Sequence, residues 1–219
     1  MYRMLFEKTG NAIWISHLDL MRLFQRAFRR ANLPLTHTQG FNPRPSVSIA
    51  LPLSVGIESQ CELLDFALEG EPVAEDEICN RLNEVLTDGI KILKVYSDCR
   101  KLRELVYLHS IVTLEYDNNI PENAVDRIGE LFRGSELIVP KKTKNGIQDQ
   151  DLIPMIQKLT VRSVGEQEIR IDVIGFCQNP TLNPMQLAAA VKLHLPDLAP
   201  DFAKCRRIQV LDGEMNDFR

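Results

Sequence analysis

Apolar and polar positions along the chain switch between two periods, and the switches outline its elements. Tyr2 to Glu7 alternates as a strand does, Thr9-Gly10-Asn11 supplies a turn, and Ala12 to Ile15 is expected to return as a short second strand. Ser16 then offers an N-cap hydroxyl with Asp19 three residues on, which predicts a helix from about His17 to Asn32. At about 100° per residue, Leu20, Phe24, Ala27, Phe28 and Ala31 share one face, and Arg22, Arg26, Arg29 and Arg30 lie opposite. Pro34 stops that helix. After a polar loop at 37–46, Val47, Ile49, Leu51 and Leu53 alternate again, and Leu63 to Leu68 reads as the partner strand. Pro72 opens a second helix with Ile78, Leu82, Val85 and Leu86 inward and Glu75, Asp76 and Glu77 in its first turn; Gly89 ends it and Lys91 to Tyr96 is the closing strand.

The resulting order is β-α-β-β-α-β, and the second half repeats it. There, Val106 to Tyr116 is a strand and Pro121 to Phe132 a helix. Leu159 to Val164 and Glu168 to Gly175 form a hairpin across Gly165-Glu166, Asn183-Pro184 caps a helix through Leu193, and Cys205 to Leu211 closes the set. The expected fold class is α+β, with two tandem ferredoxin-like units built on antiparallel sheets. The first covers residues 1–97, with the basic helix and loop 37–46, and the second covers 105–213. Ser97 to Glu104 reads as the linker, and Pro140 to Gly146 as an exposed basic loop.

Composition narrows the class. The chain has 219 residues, 44% hydrophobic and 26% charged, as an ordinary globular protein does, which excludes a disordered chain, a collagen repeat or a disulfide miniprotein. With no long apolar run and no secretory leader in the pattern of residues 1–17, no membrane span and a cytoplasmic location are expected. The net charge of −4 is uneven: residues 1–46 hold seven Arg and Lys against two acids. A basic head on an acidic body marks a polyanion-binding surface or is ordinary scatter. The five cysteines (61, 79, 99, 177 and 205) are scattered without a Cys-x-x-Cys, so packed reduced thiols are expected, and neither a metal nor a cofactor.

Four histidines are candidates for acid–base chemistry. His17 lies in the first helical turn beside the apolar face and reads first as structural, His37 is placed equally for function or for holding its loop, and His109 and His194 read as structural. Gly-x-Ser-x-Gly, the P-loop, Gly-x-Gly-x-x-Gly and His-Glu-x-x-His are absent. Glu58, Glu62 and Asp65 read as solvated strand-edge charges before they read as a catalytic pair. The stripe of Arg22, Arg26, Arg29 and Arg30, which has only Asp19 as an acid within its helix, suits phosphates better than it suits a self-paired surface. Phe41, with Asn42 and Arg44 in the adjoining loop, could stack a base or anchor the loop.

Ile15-Ser-His-Leu-Asp-Leu-Met-Arg22, Phe24 to Pro34, Gln39-Gly-Phe-Asn-Pro-Arg-Pro-Ser-Val-Ser-Ile-Ala50, Leu51 to Ser59 and Glu62-Leu-Leu-Asp65 resemble the radical-SAM-linked protein family. Its members occur fused behind a radical-SAM domain or encoded beside one, so the resemblance implies a radical-SAM partner encoded nearby. The strand order is also similar to that of the CRISPR repeat-processing endoribonucleases, although their glycine-rich C-terminal loop is missing here. The first expectation is therefore a non-catalytic RNA-binding accessory module that works with a radical-SAM enzyme in RNA modification or processing. Arg22, Arg26, Arg29, Arg30, Phe41, Asn42 and Arg44 would contact the RNA. The alternatives are a metal-independent ribonuclease or RNA-modifying enzyme using His17 or His37, and a protein adaptor that docks on the radical-SAM partner.

Overall fold

In the computed structural model, which describes residues 1–143 and 146–219, the N-terminal alternation becomes strand β1 (Tyr2–Lys8), with Met4 and Phe6 wholly buried. The chain divides into two units, Met1–Glu104 with Asp217–Arg219, and Leu105–Asn216. In both, strands pair antiparallel and helices cover an apolar side, which makes the protein α+β.

Unit 1 continues with α1 (His17–Arg30), β2 (Val47–Ile49), β3 (Glu58–Phe66), α2 (Glu75–Asn83) and β4 (Ile90–Tyr96), and its strands lie in the order β4-β1-β3-β2. Helix α1 forms where its periodicity places it: Leu20, Phe24, Ala27 and Phe28 are buried. Phe24 meets Phe6 edge-on at 4.9 Å between ring centroids, and Phe28 meets Phe66 at 4.8 Å. Ile78 and Leu82 of α2 enter the same core. Asn83 at the end of α2 clamps β4 with its amide, donating to the Ile92 carbonyl at 2.9 Å and accepting from the Ile92 N–H at 2.8 Å.

Two expectations about the strands of unit 1 fail. Ala12 to Ile15 does not return as a strand; Gly10–Trp14 is a 3-10 helix. The turn is set by Gly10 at φ +55° and by Thr9 donating to the Gly89 carbonyl at 2.8 Å, at a point where a Cβ on Gly89 would collide with the chain. The ammonium of Lys8, 1% exposed, then donates to the carbonyls of Ile13 and Ile15 at 3.1 and 2.8 Å. A buried lysine thus holds carbonyls that strand pairing would have used. The second failure is β2, which stops at Ile49 although the alternation runs to Leu53, because Pro52 has no N–H to extend a ladder.

Unit 2 comprises β5 (Leu105–Glu115), α3 (Ala124–Leu131), β6 (Ile138–Thr143), β7 (Gly146–Asp151), β8 (Ile156–Val164), β9 (Glu168–Phe176), α4 (Met185–His194) and β10 (Phe202–Asp212). Its main strands lie in the order β10-β5-β9-β8, and β6 and β7 form a ribbon of their own. That ribbon corrects the expected basic loop at 140–146. Lys141 and Lys142 sit in a strand registered on Gln148 and Ile147, fixed at its base by buried Leu137 and Val139 and by the Leu137 N–H donating to Asp151 at 2.8 Å. Lys144 and Asn145 lie outside the described residues. Among the described residues, no helix is long and apolar enough to cross a membrane.

Candidate nucleic-acid interface

Helix α1 starts on Ser16, whose hydroxyl accepts from the Asp19 N–H at 3.2 Å and donates to the Asp19 carboxylate at 2.7 Å. Arg22 reaches the same carboxylate at 3.0 Å, and the Ser16 and Arg22 hydrogen bonds hold the Asp19 carboxyl below its usual range. At the other end, Asn32 adopts φ +51°, and its N–H and that of Leu33 close back on Arg29 and Phe28, a Schellman stop.

All four arginines of the stripe are exposed, but they are not equivalent. Arg22 is paired with Asp19, and Arg30 donates to the Val85 carbonyl at 2.6 Å, just past the end of α2. Arg26 and Arg29 carry no hydrogen bond or ion pair among the described residues. Arg81 of α2, which sequence reasoning missed, donates to the Ala31 carbonyl at 2.9 and 2.5 Å and to that of Asn32 at 2.7 Å. The two helices of unit 1 therefore cap each other's C-terminal carbonyls with arginines, at ends where the dipole favours positive charge. No spacing rule within one helix reports such a partnership.

The segment after α1 folds as a finger. Thr36 donates to the Ala67 carbonyl at 2.9 Å and Ser46 to the Thr36 carbonyl at 2.8 Å; His37 bridges Pro45; and Thr38 donates to the Arg44 carbonyl at 2.8 Å, with the Arg44 N–H returning to the Thr38 hydroxyl at 3.0 Å. These bonds leave residues 39–43 as the tip, where Phe41 is 108% exposed. Asn42 and Arg44 are exposed beside it. Phe41 therefore does not anchor the loop.

The histidines are dispersed. His17 is half-buried with Nδ1 unpartnered, and His37 stands 3.7 Å from the Glu69 carboxylate on the outside of the finger. In unit 2, His109 Nε2 is 2.9 Å from Asp172, and His194 Nε2 is 2.8 Å from the Ile138 carbonyl. Two of the three β3 carboxylates, Glu62 and Asp65, are not solvated, contrary to expectation. Glu62 is 3% exposed, and Asp65 is paired in a bidentate fork with buried Arg3 at 2.6 and 2.9 Å, because β3 is flanked on both sides by strands. Arg3 also donates to the Arg100 carbonyl at 2.9 Å and lies 5.3 Å from the Phe218 ring centroid. All five cysteines are free thiols; burial pushes Cys177 up to about 11 and Cys205 up to about 12, far from a reactive thiolate. Among the described residues, no three His, Cys, Asp or Glu are disposed to hold a metal ion. Two depressions along α3, of about 460 and 360 Å³, include no histidine or cysteine.

A family described as "Uncharacterized protein conserved in bacteria (DUF2344)" matches residues 1–184, all of α1, the finger and β3 included. The chain belongs to that family. No curated protein matches it. Among solved structures, a chain of the "Crystal Structure of a Cbf5-Nop10-Gar1 Complex" aligns with a TM-score of 0.52 at 10% identity, over 95% of this chain and 48% of its own length. This DUF2344 member thus spans about half of that chain, and the likeness is one of fold. A second structure, described as an unknown protein from Galdieria sulphuraria, covers 94% of this chain and 96% of its own at 10% identity, but its TM-score of 0.27 is below a shared fold.

Proposed function

We propose that this DUF2344 protein is a non-catalytic RNA-binding module built from two ferredoxin-like units, working with a radical-SAM partner in RNA modification or processing. Arg26, Arg29 and Arg44 meet phosphates and Phe41 stacks on an unpaired base. The ferredoxin-like reading is supported by the strand orders β4-β1-β3-β2 and β10-β5-β9-β8, each joined through two helices. The partner is supported by the resemblance of residues 15–65 to the radical-SAM-linked family.

One observation carries the RNA reading: Phe41 stands wholly in solvent at the tip of a hydrogen-bonded finger. Leaving such a ring exposed forgoes about 1.5–3 kcal/mol of burial. A base recovers that burial through its π-face, and the guanidiniums of Arg44, Arg26 and Arg29 supply the charge for its backbone. The catalytic alternative has less behind it, since His37 is turned to Glu69 and His17 has no partner at Nδ1.

The test is fluorescence polarisation with a short labelled oligouridylate between about 50 and 200 mM salt. Wild-type affinity should fall as salt rises. Arg26→Gln with Arg29→Gln should lower the slope by about 0.7 for each phosphate that is no longer neutralised. Phe41→Ala should weaken binding by an amount that salt does not change, because stacking is uncharged. A slope of zero, or no binding at low salt, overturns the proposal.

A further inference from the structure

The sheet of unit 2 buries one side under helices, while its other side carries exposed and half-buried residues around the buried Thr113 and Leu211. Leu108, Val112 and Leu114 of β5 and Ile169, Ile171 and Val173 of β9 are buried, together with Ile128 of α3 and Leu187 of α4. Residues alternating with them point to the opposite side, and the strand registers arrange these in transverse rows.

One row sets Arg162 of β8 against Arg170 of β9, then Thr113 of β5, then Lys204 of β10. Two arginines directly opposite each other in an antiparallel ladder are destabilising. Arg170 is relieved by Glu168 at 3.3 Å, and Lys204 by Glu115 and Glu168. Arg162 is exposed and has no ion pair among the described residues, and the same holds for Lys158, two positions before Thr160 on the same side of β8. The acids of this side are already engaged: Glu115 and Glu168 as above, and Asp172 with His109 at 2.9 Å. The row therefore has an excess of positive charge, and an anion would relieve the repulsion built into it.

Three rows away, about 20 Å along the strands, Tyr107 of β5 lies directly opposite Phe176 of β9. Their ring centroids are 4.8 Å apart with planes tilted by 51°, and both rings are half-buried. One aromatic side chain on each of two adjacent inner strands, on the side away from the helices, offers two tilted ring faces to bases that are not held in a duplex.

We propose that this open side is a second nucleic-acid surface, which takes single-stranded RNA with bases on Tyr107 and Phe176 and phosphates on the Arg162–Arg170–Lys204 row. The choice of RNA rests on the function proposed above; the surface does not depend on α1 or the finger.

The experiment uses the full chain and a short oligouridylate carrying 5-bromouridine, with a duplex RNA of equal length for comparison. Lys158→Glu with Arg162→Glu should weaken single-strand binding about ten-fold while leaving the melting temperature unchanged or raised, because a like-charge pair is removed. Irradiation should crosslink the oligonucleotide at Tyr107, and Tyr107→Leu should remove that crosslink. Unchanged affinity in Lys158→Glu/Arg162→Glu, alongside a loss in Arg26→Gln/Arg29→Gln, overturns this surface and leaves the finger reading intact. The converse supports the surface and overturns the finger. Duplex bound as tightly as the single strand, with no crosslink at Tyr107, overturns the stacking assignment. A wild-type chain that binds no RNA overturns both.

Discussion

Both units pair their strands antiparallel, and unit 2 adds the β6–β7 ribbon, but they keep their ionic groups in different places. In unit 1, Arg3, Lys8 and Glu62 are each 3% exposed or less, and Cys61 and Leu63, on the side of β3 away from the helices, are buried as well. Its exposed charge stands on α1, beside the finger, on α2 (Asp76, Glu77) and on β4 (Lys91, Lys94). In unit 2, the helices cover an apolar side, and the charges occupy the opposite side of the sheet. Its buried carboxylate, Asp212, accepts the N–H groups of Glu214 and Asn216 at 2.9 Å and shapes the turn after β10. The two sheets thus present two kinds of surface, one that buries its ionic groups and one that carries them outside.

The largest effect should come from breaking an ion pair in the closed side. Asp65→Ala leaves the Arg3 guanidinium buried without its fork partner, which costs about 3–5 kcal/mol, a large share of a domain's stability. Glu168→Gln on the open side of unit 2 disrupts ion pairs to Arg170 and Lys204 that water can replace, and should cost under about 1 kcal/mol. Urea unfolding of the two variants measures the contrast. Equal losses would mean that the two sheet sides do not differ as described.

Next in size is Arg81→Ala. Three hydrogen bonds from a charged donor to the end of α1 disappear, and about 1.5–3 kcal/mol should go with them. Arg81→Lys should recover only part, since an ammonium cannot reproduce the planar fork. Thermal melts of the two variants decide this.

Arg81 also marks where sequence reading stops. The start and faces of α1 were legible because capping and the period of 3.6 are local: Ser16 caps it, and the exposure of Arg22, Arg26, Arg29 and Arg30 follows from the burial of Phe24 and Phe28; its end was not, since Asn32 at positive φ stops it ahead of Pro34. What the arginines touch was not legible, since Val85 and Ala31 are each about fifty residues distant from their partners in the chain. The 3-10 helix at Gly10–Trp14 was misread for the same reason: its shape depends on Gly89 and on a buried Lys8, neither of which shows in a window around it. The ribbon of β6 and β7 was misread because its lysines look like a solvated loop until register on β7 is known. The pairing of Tyr107 with Phe176 is a fact of register too, and neither residue stands out alone.

A pH-dependent effect belongs to unit 2. Tyr116 is 7% exposed and donates its hydroxyl to the Leu198 carbonyl at 3.0 Å; burial, helped by the charge of Asp201, pushes the phenol from 10.0 up to about 12. The unfolded chain releases this proton near pH 10, and the folded chain holds it to about pH 12. Between those values the unfolded state binds fewer protons, so stability falls as pH rises. The contribution is whole below pH 10 and gone by about pH 12, a loss on the order of 2 kcal/mol. Denaturation near pH 9 and near pH 11 should show that decline in the wild type, and a shallower one in Tyr116→Phe, which also gives up about 1 kcal/mol of hydrogen bonding at neutral pH.

The smallest expected effect on stability is the most informative about unit 1. Arg26→Gln with Arg29→Gln removes two exposed guanidiniums that have no hydrogen bond or ion pair among the described residues, and surface changes of that kind stay within about 0.5 kcal/mol. Arg30, on the same stripe, is tied to Val85, and substituting it would confuse a broken helix-end hydrogen bond with weakened ligand binding. The double variant avoids that confusion. Its melting temperature should match the wild type while its oligouridylate affinity drops and depends less steeply on salt. A melting temperature that falls as far as that of Arg81→Ala would make the two side chains structural, and the charged face of unit 1 would then need another reason to exist.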